Sequence, residues 1–294
     1  MDQHFDERRG ETLGLSGAAG ISPSLPRLPS TLTYQGKLVI FSTAYECRTY
    51  MPYTRSMVET TMVLERLGVD FDYWPFMGDF HVNRSVNEAL TMAMNDESVT
   101  DILMIDTDEA WDAFGVLRLL SYPEEIVAGA YRMKNAWERY TCILKWRHEN
   151  GMDYPEGRLL GDGTALLKAE RVPGGFMRIK TSALKTFAAA YPDRWYWTQA
   201  GAKNVQFFGG DEVRDHVFHS MDHGFCIDMQ AAGVECWIDP NISIDHYGLT
   251  KYEGNLDLYL KRIATGTAQD ASEKEAFAAI RVMALEVEQR AASS

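Results

Sequence analysis

The sequence predicts an α/β fold, with a mixed, mostly parallel sheet flanked by helices in a single domain. Three observations predict it. Short apolar runs alternate with stretches of helical spacing through the first half of the chain. Almost half of the 294 residues are apolar, and Trp, Tyr and Phe are plentiful, so a sizeable core is available. No internal repeat and no linker interrupts the pattern.

Taken in order, residues 1–34 are rich in Gly, Ser, Pro and charge, and predict a flexible tail or a peripheral strap. "KLVIFSTA" (37–44) reads as a buried strand. In the next stretch Met57, Met62, Val63 and Leu67 recur near helical spacing, and Gly68 supplies a stop. "VDFDYWPFM" alternates as a second strand, and "HVNRSVNEALTMAMND" as an amphipathic helix. "DILMID" is a third strand, "WDAFGVLRLLSY" a helix and "EIVAGAYRMK" a fourth strand. Beyond residue 165 the reading is a strand, a Gly-Gly turn, a strand and a short helix in "ALLKAERVPGGFMRIKTSALKTF". A helix ended by Gly233 follows, then "VECWIDPNISIDHYG" as two strands about a Pro-Asn turn. "LDLYLKRIA" and residues 267–294 close the chain as helices. The last of these, with Phe277, Ile280, Met283 and Leu285 among charges, offers a packing or homo-oligomer face.

The charge narrows the function. A formal net charge of −13 disfavours general electrostatic binding to nucleic acid or anionic membrane, although a local groove is compatible with it. No run of about 18 apolar residues predicts a membrane span. The first residues lack the charged-then-apolar order of a secretory signal. The four cysteines are scattered without a C-x-x-C pair, so reduced thiols and a cytoplasmic location are expected.

The chemistry concentrates in "TDILMIDTDEAWDAF". An apolar strand runs directly into Asp106, Thr107, Asp108 and Glu109, with Asp112 after them. In open α/β sheets ligands gather at the carboxyl ends of strands, and this is such an end. Crowded carboxylates suit a hard divalent cation, Mg²⁺ or Mn²⁺, that keeps positions open for substrate phosphates. The rival reading is a solvated loop in which Asp106 or Asp108 caps the next helix. Glu109 and Asp112 are expected at the start of that helix, where its dipole favours negative charge.

The surroundings carry a resemblance. "ILMIDTDEAWDAFGVLRLLSYPEEIVAGAYRMK" resembles the central stretch of GT-A fold, nucleotide-sugar-dependent glycosyltransferases of the D-x-D type, in which I-V-x-G-x-Y-x-x-K follows the D-x-D. "VPGGFMRIKTSAL" and "SMDHGFCIDMQAAGVECWIDPNISIDHYG" are similar to later segments of that superfamily. The segments keep the family's order over roughly residues 37–250. The resemblance implies a GT-A-like, Rossmann-type domain over 35–266. It also implies transfer of a sugar from a UDP- or GDP-sugar to a hydroxyl-bearing acceptor, which could be a glycan, lipid, protein, small molecule or modified nucleic-acid base.

It implies roles as well. Asp108 would ligate the metal, with Asp106 beside it on the metal through water or on the donor's ribose, and His246 as the remote ligand. Thr107 and Lys134 would belong to the nucleotide-sugar site, as would Ala44 and Tyr45 at the end of the first strand, and Arg84 and Asn87 in "NRSVN". Asp222 falls where the family's general base lies. Met221 stands where its Glu is usual, so Asp211 and Glu212 in "GGDEVRD" are alternative bases. Lys251, beyond His246 in "HYGLTK", is read from its own spacing as a cation for the departing diphosphate. Gly175 allows close approach of an acceptor or simply turns the chain. Trp195 and Trp197 stack on an acceptor or pack.

Two other classes are carried. A metal-dependent nucleotidyltransferase would need a Gly-rich loop after the first strand, which "STAYECRTY" lacks. A non-catalytic nucleotide-sugar-binding module is the second, and retention of both aspartates and His246 counts against it.

Overall fold

A computed structural model of the chain describes residues 34–149, 152–214 and 216–265. The expected tail up to residue 33 and the expected helix over 267–294 lie outside them.

The apolar run 37–44 forms β1 (Lys37–Ala44). It leads into α1 (Met51–Arg66), which stops before Gly68 at a positive φ of 69°. Next come β2 (Asp70–Met77), α2 (Val82–Asn95), β3 (Val99–Ile105) and the short β4 (Glu109–Trp111). Helix α3 (Ala113–Ser121) begins with Asp112, at the helix start as expected, and its carboxylate accepts from the Phe114 amide, so the cap is Asp112 and neither Asp106 nor Asp108. The chain continues through β5 (Ile126–Gly129), β6 (Ile143–Leu144), β7 (Trp146–Glu149), β8 (Met152–Pro155) and β9 (Gly157–Leu159). Then follow β10 (Ala165–Arg171), β11 (Phe176–Lys180) and α4 (Thr181–Ala190). Hairpins β12 (Trp195–Trp197) with β13 (Lys203–Val205) and β14 (Glu212–Arg214) with β15 (Val217–His219) precede α5 (Met221–Ala231). The described chain ends through β16 (Cys236–Asp239), β17 (Ile244–Tyr247), β18 (Lys251–Tyr252) and α6 (Leu256–Ala264).

The central sheet runs β2-β1-β3-β11-β5-β16-β10-β6, with β9 beside β10. β1 is parallel to both β2 and β3, and β5 is parallel to β16, while β10 and β11 run against their neighbours. The sheet is therefore mixed, with most strands pointing one way. One local expectation changes. β10 and β11 follow one another across Gly174 and Gly175, yet β5 and β16 separate them in the sheet, so these glycines are not a hairpin turn.

Alternation along the central strands fills two layers. Val39, Phe41, Ile102 and Met104 join Val86, Leu90, Leu184, Phe187, Phe225 and Met229 from α2, α4 and α5 in one core cluster. Leu38, Ile40, Leu103 and Ile105 are buried on the opposite side. No helix among the described residues is long and apolar enough to cross a membrane.

Candidate active site

The site forms where β3 ends. Four backbone hydrogen bonds fix the turn that carries both aspartates. The Asp106 amide donates to Gly175 O (2.8 Å) and the Glu109 amide to Asp106 O (3.3 Å). The Tyr50 amide donates to Thr107 O (3.1 Å) and the Tyr247 amide to Asp108 O (2.8 Å). The far half of the site arrives through a second, smaller sheet. β4 pairs antiparallel with β17, which sets His246 opposite Glu109.

Asp106 and Asp108 face different spaces. Asp106 lines a chamber of about 230 Å³ together with Gly174, Gly175, Tyr131, Ser220 and Asp222. Asp108 and Thr107 line a cleft of about 420 Å³ shared with Ala44, Tyr45 and Tyr50.

Charge is crowded here. Burial, and then the neighbouring Asp108, push the Asp106 carboxyl up to about 6. Burial alone would also raise Asp108, but His246 and Lys134 outweigh it and hold that carboxyl below the ordinary range. The Lys134 ammonium donates to Asp108 Oδ2. On the other oxygen, Oδ1, His246 Nε2 stands at 3.6 Å. His246 Nδ1 lies 2.8 Å from Arg132 O. A carbonyl only accepts, so Nδ1 carries a proton and that hydrogen bond aims Nε2 at Asp108. The Tyr131 ring meets the His246 ring edge-on at 4.9 Å.

Glu109 differs from its expected place at a helix start. It lies in β4, fully buried, and neither carboxylate oxygen has a hydrogen-bond partner. Burial, then Asp106 and Asp108, push its carboxyl well above the usual range. Gly175 makes room for both acids. A Cβ on it would stand 2.4 Å from Glu109 Oε1, 2.6 Å from Asp106 Oδ2 and 2.9 Å from the Tyr131 ring. Its lack of a side chain is thus a packing requirement of the acidic cluster. Sequence reasoning missed Glu109 and Tyr131. The Tyr of I-V-x-G-x-Y-x-x-K was the available signal for the second, and the first had none beyond its place among acids.

Of the three candidate bases, Asp222 is the one that lines the chamber. Its Oδ1 accepts from the Ser220 hydroxyl and the His223 amide (2.9 Å), and its Oδ2 from the Gly174 amide (3.3 Å). Asp211 is exposed, and Glu212 pairs with Arg214 at 2.5 Å.

Other expected residues have local partners. Asn87 is buried, donating to Phe208 O (2.8 Å) and accepting from the Phe208 amide (2.7 Å), so it braces the loop before Gly209. Arg84 grips both oxygens of Asp79 at 2.6 and 2.7 Å. Lys251 lies between Asp245 and Glu253, 2.9 Å from each, so the cation that meets the D-x-D is Lys134. Trp195 and Trp197 stand on the β12–β13 hairpin, both exposed, and line neither space. Lys203 Nζ sits 4.2 Å from the centre of the Trp195 ring.

Among the described residues, no group of three or more His, Cys, Asp or Glu side chains is arranged around a metal position. The Asp108–His246 pair is a two-donor arrangement. Mg²⁺-type sites commonly take one or two carboxylates completed by substrate phosphates, and of these the pair supplies one, Asp108, whose Oδ2 also accepts from Lys134.

No protein-family model matches the chain, and no curated protein matches it. Among solved structures, the crystal structure of A197 from STIV is similar over 71% of this chain and 85% of that one, at 13% identity and a TM-score of 0.40. The catalytic domain of Drosophila beta1,4galactosyltransferase 7, in complex with xylobiose, is similar over 70% of this chain and 66% of that one, at 13% identity and 0.40. 4-Diphosphocytidyl-2C-methyl-D-erythritolsynthase from Anaerococcus prevotii DSM 20548 matches 56% of this chain and 80% of that one, at 9% identity and 0.30. At these scores the likeness carries no functional weight, and the site's own residues must carry any reading.

Proposed function

We propose that the chain is a glycosyltransferase that moves a sugar from a UDP- or GDP-sugar to a hydroxyl acceptor. One observation carries the reading. The two acids of the D-x-D turn open onto two adjoining spaces, with a candidate base at the end of one and aromatic residues along the other.

In this reading Tyr45 and Tyr50 flank the nucleotide in the cleft, with Ala44 and Thr107 as its floor. Asp108 and His246 would hold Mg²⁺ or Mn²⁺, which supplies charge neutralisation for the diphosphate when bound. Lys134 adds a positive charge on the same side and steadies the leaving group. Asp106 stands beside Asp222 in the chamber where the acceptor's hydroxyl enters. Asp222 takes the acceptor's hydroxyl proton as that oxygen bonds to the anomeric carbon. The bond from that carbon to the diphosphate breaks, and its electron pair leaves with the phosphate oxygen.

The test is a screen of nucleotide sugars for nucleoside diphosphate release with Mn²⁺ or Mg²⁺, in the intact chain and in Asp108→Asn and His246→Ala. Release in the intact chain and its loss in both variants supports the reading. Full activity in either variant sinks the cation assignment. Pyrophosphate release from a nucleoside triphosphate, without sugar transfer, would replace the reading by a nucleotidyltransferase.

A further inference from the structure

The chamber beside Asp106 and Asp222 has a composition that sugar transfer alone does not explain. Its walls are Phe41, Val82, Val86, Met104, Ile105 and Met221. Phe41, Val86, Met104 and Ile105 are buried core side chains, so one side of the chamber is packed interior, while Val82, Ser220, Met221 and Asp222 on the other side are only partly buried. The other lining side chains are Thr43, Asp106, Tyr131, Ser220 and Asp222, and Asp222 already accepts from the Ser220 hydroxyl and the Gly174 amide. A sugar ring placed here would leave hydroxyls on its far side desolvated against hydrocarbon, which is costly for each group left unpaired. An apolar ring would instead remove hydrocarbon wall from water at no such cost. Size agrees. An apolar cavity of about 150 Å³ in another protein binds benzene, so a chamber of about 230 Å³ admits one six-membered ring with a short substituent.

We propose that this chamber binds the acceptor's apolar part, a single aromatic or alicyclic ring carrying a hydroxyl on a short arm that points to Asp222. The acceptor class is then a ring alcohol and not a saccharide. The word acceptor rests on the sugar-transfer reading, whereas ring binding needs no donor and is tested without one.

The experiment is a titration of the full chain, methyl-¹³C-labelled at methionine, with benzyl alcohol and separately with methyl glucoside, followed by NMR. The methyls of Met104 and Met221 line the chamber and report its occupancy. Saturable shifts of both with benzyl alcohol, and none with methyl glucoside at the same concentration, are expected. Val86→Phe, which fills the chamber, weakens benzyl alcohol binding by about tenfold or more. Met221→Phe, at a half-buried wall position, serves if the first variant does not fold. Benzyl alcohol that leaves both methyls unmoved overturns the proposal. So does methyl glucoside that moves them equally well, or a well-folded filled variant that binds benzyl alcohol as the intact chain does. Ring binding that persists while every nucleotide sugar fails in the donor screen supports the chamber and overturns sugar transfer.

Discussion

Asp106 and Asp108, two residues apart, open onto different spaces, Asp106 onto the apolar chamber that ends at Asp222 and Asp108 onto the cleft beside Tyr45 and Tyr50. The turn between them is held from both sides, Thr107 O by the Tyr50 amide and Asp108 O by the Tyr247 amide. Those bonds fix the backbone from which each side chain departs. The two carboxylates therefore act on different parts of a bound molecule, and removing each should fail differently.

Asp108→Asn should weaken Mn²⁺-dependent binding of UDP or GDP by about tenfold or more, since it removes a charged donor from the cleft. Asp106→Asn should leave that binding within severalfold and slow sugar release by about a hundredfold. Calorimetric titration with each nucleotide, paired with release kinetics, checks this. Equal losses of binding in both variants would contradict the division of the site.

Gly175→Ala tests the packing of the acidic cluster. The added Cβ meets two carboxylate oxygens and the Tyr131 ring, all closer than 3.0 Å, and Asp106 or Glu109 must move. Overpacking of this kind costs about 1–3 kcal/mol. The melting temperature should fall, and nucleotide release should fall further than stability explains, because Asp106 is displaced. Unchanged melting and unchanged kinetics would show that the turn adjusts freely.

Glu109 gives a pH prediction. Burial and two neighbouring acids hold its carboxyl well above the ordinary value of 4.5. The folded state therefore keeps the proton over a range in which the unfolded chain has lost it. Stability is lost as pH rises through that range. Glu109→Gln removes the titration but keeps the shape. In cation-free buffer, the variant's melting temperature should exceed that of the intact chain at pH 8, and the gain should shrink toward pH 5. A gain that does not change with pH would mean that the acid is not the cause.

How much of this was legible in the sequence follows from the range of each interaction. β1 and β3 were readable because their apolar runs are local facts, and Asp112 at a helix start because that too is set within a few residues. Glu109 was not readable as a buried strand residue. Its burial depends on β17, whose residues come far later in the chain, and the acids around it look like a helix start. The separation of β10 from β11 was hidden for the same reason, since nothing local announces that β5 and β16 will pair between them. The acids at the end of an apolar run led to Asp106 and Asp108, and the resemblance led to Asp222, which lines the chamber with Asp106, and to His246, which faces Asp108. It also led to Asn87, which the fold commits to Phe208, and spacing led to Lys251, which the fold places between two other acids. Partners of this kind are set by neighbours in space.

The last prediction concerns the helix that delivers the candidate base. Asp228 lies six residues beyond Asp222 on α5, and its carboxylate is gripped by Arg194 and by Arg214 at 2.7 and 3.2 Å. Burial would raise this carboxyl, but the two guanidinium groups prevail and hold it below the ordinary range. A depressed acid contributes stability above its unfolded value, near 3.8, and that contribution is lost as pH falls through the lower folded value. Asp228→Asn keeps the size of the side chain and removes the charge. Both guanidinium groups are partly exposed, so the expected cost at pH 7 is about 1–3 kcal/mol rather than the full cost of a buried charge. Melting curves from pH 7 to pH 3 should show the variant less stable at neutral pH and converging on the intact chain in acid. Because α5 also carries Asp222, the variant should slow sugar transfer while leaving nucleotide binding in the cleft unchanged. Loss of binding with intact melting would reverse that assignment.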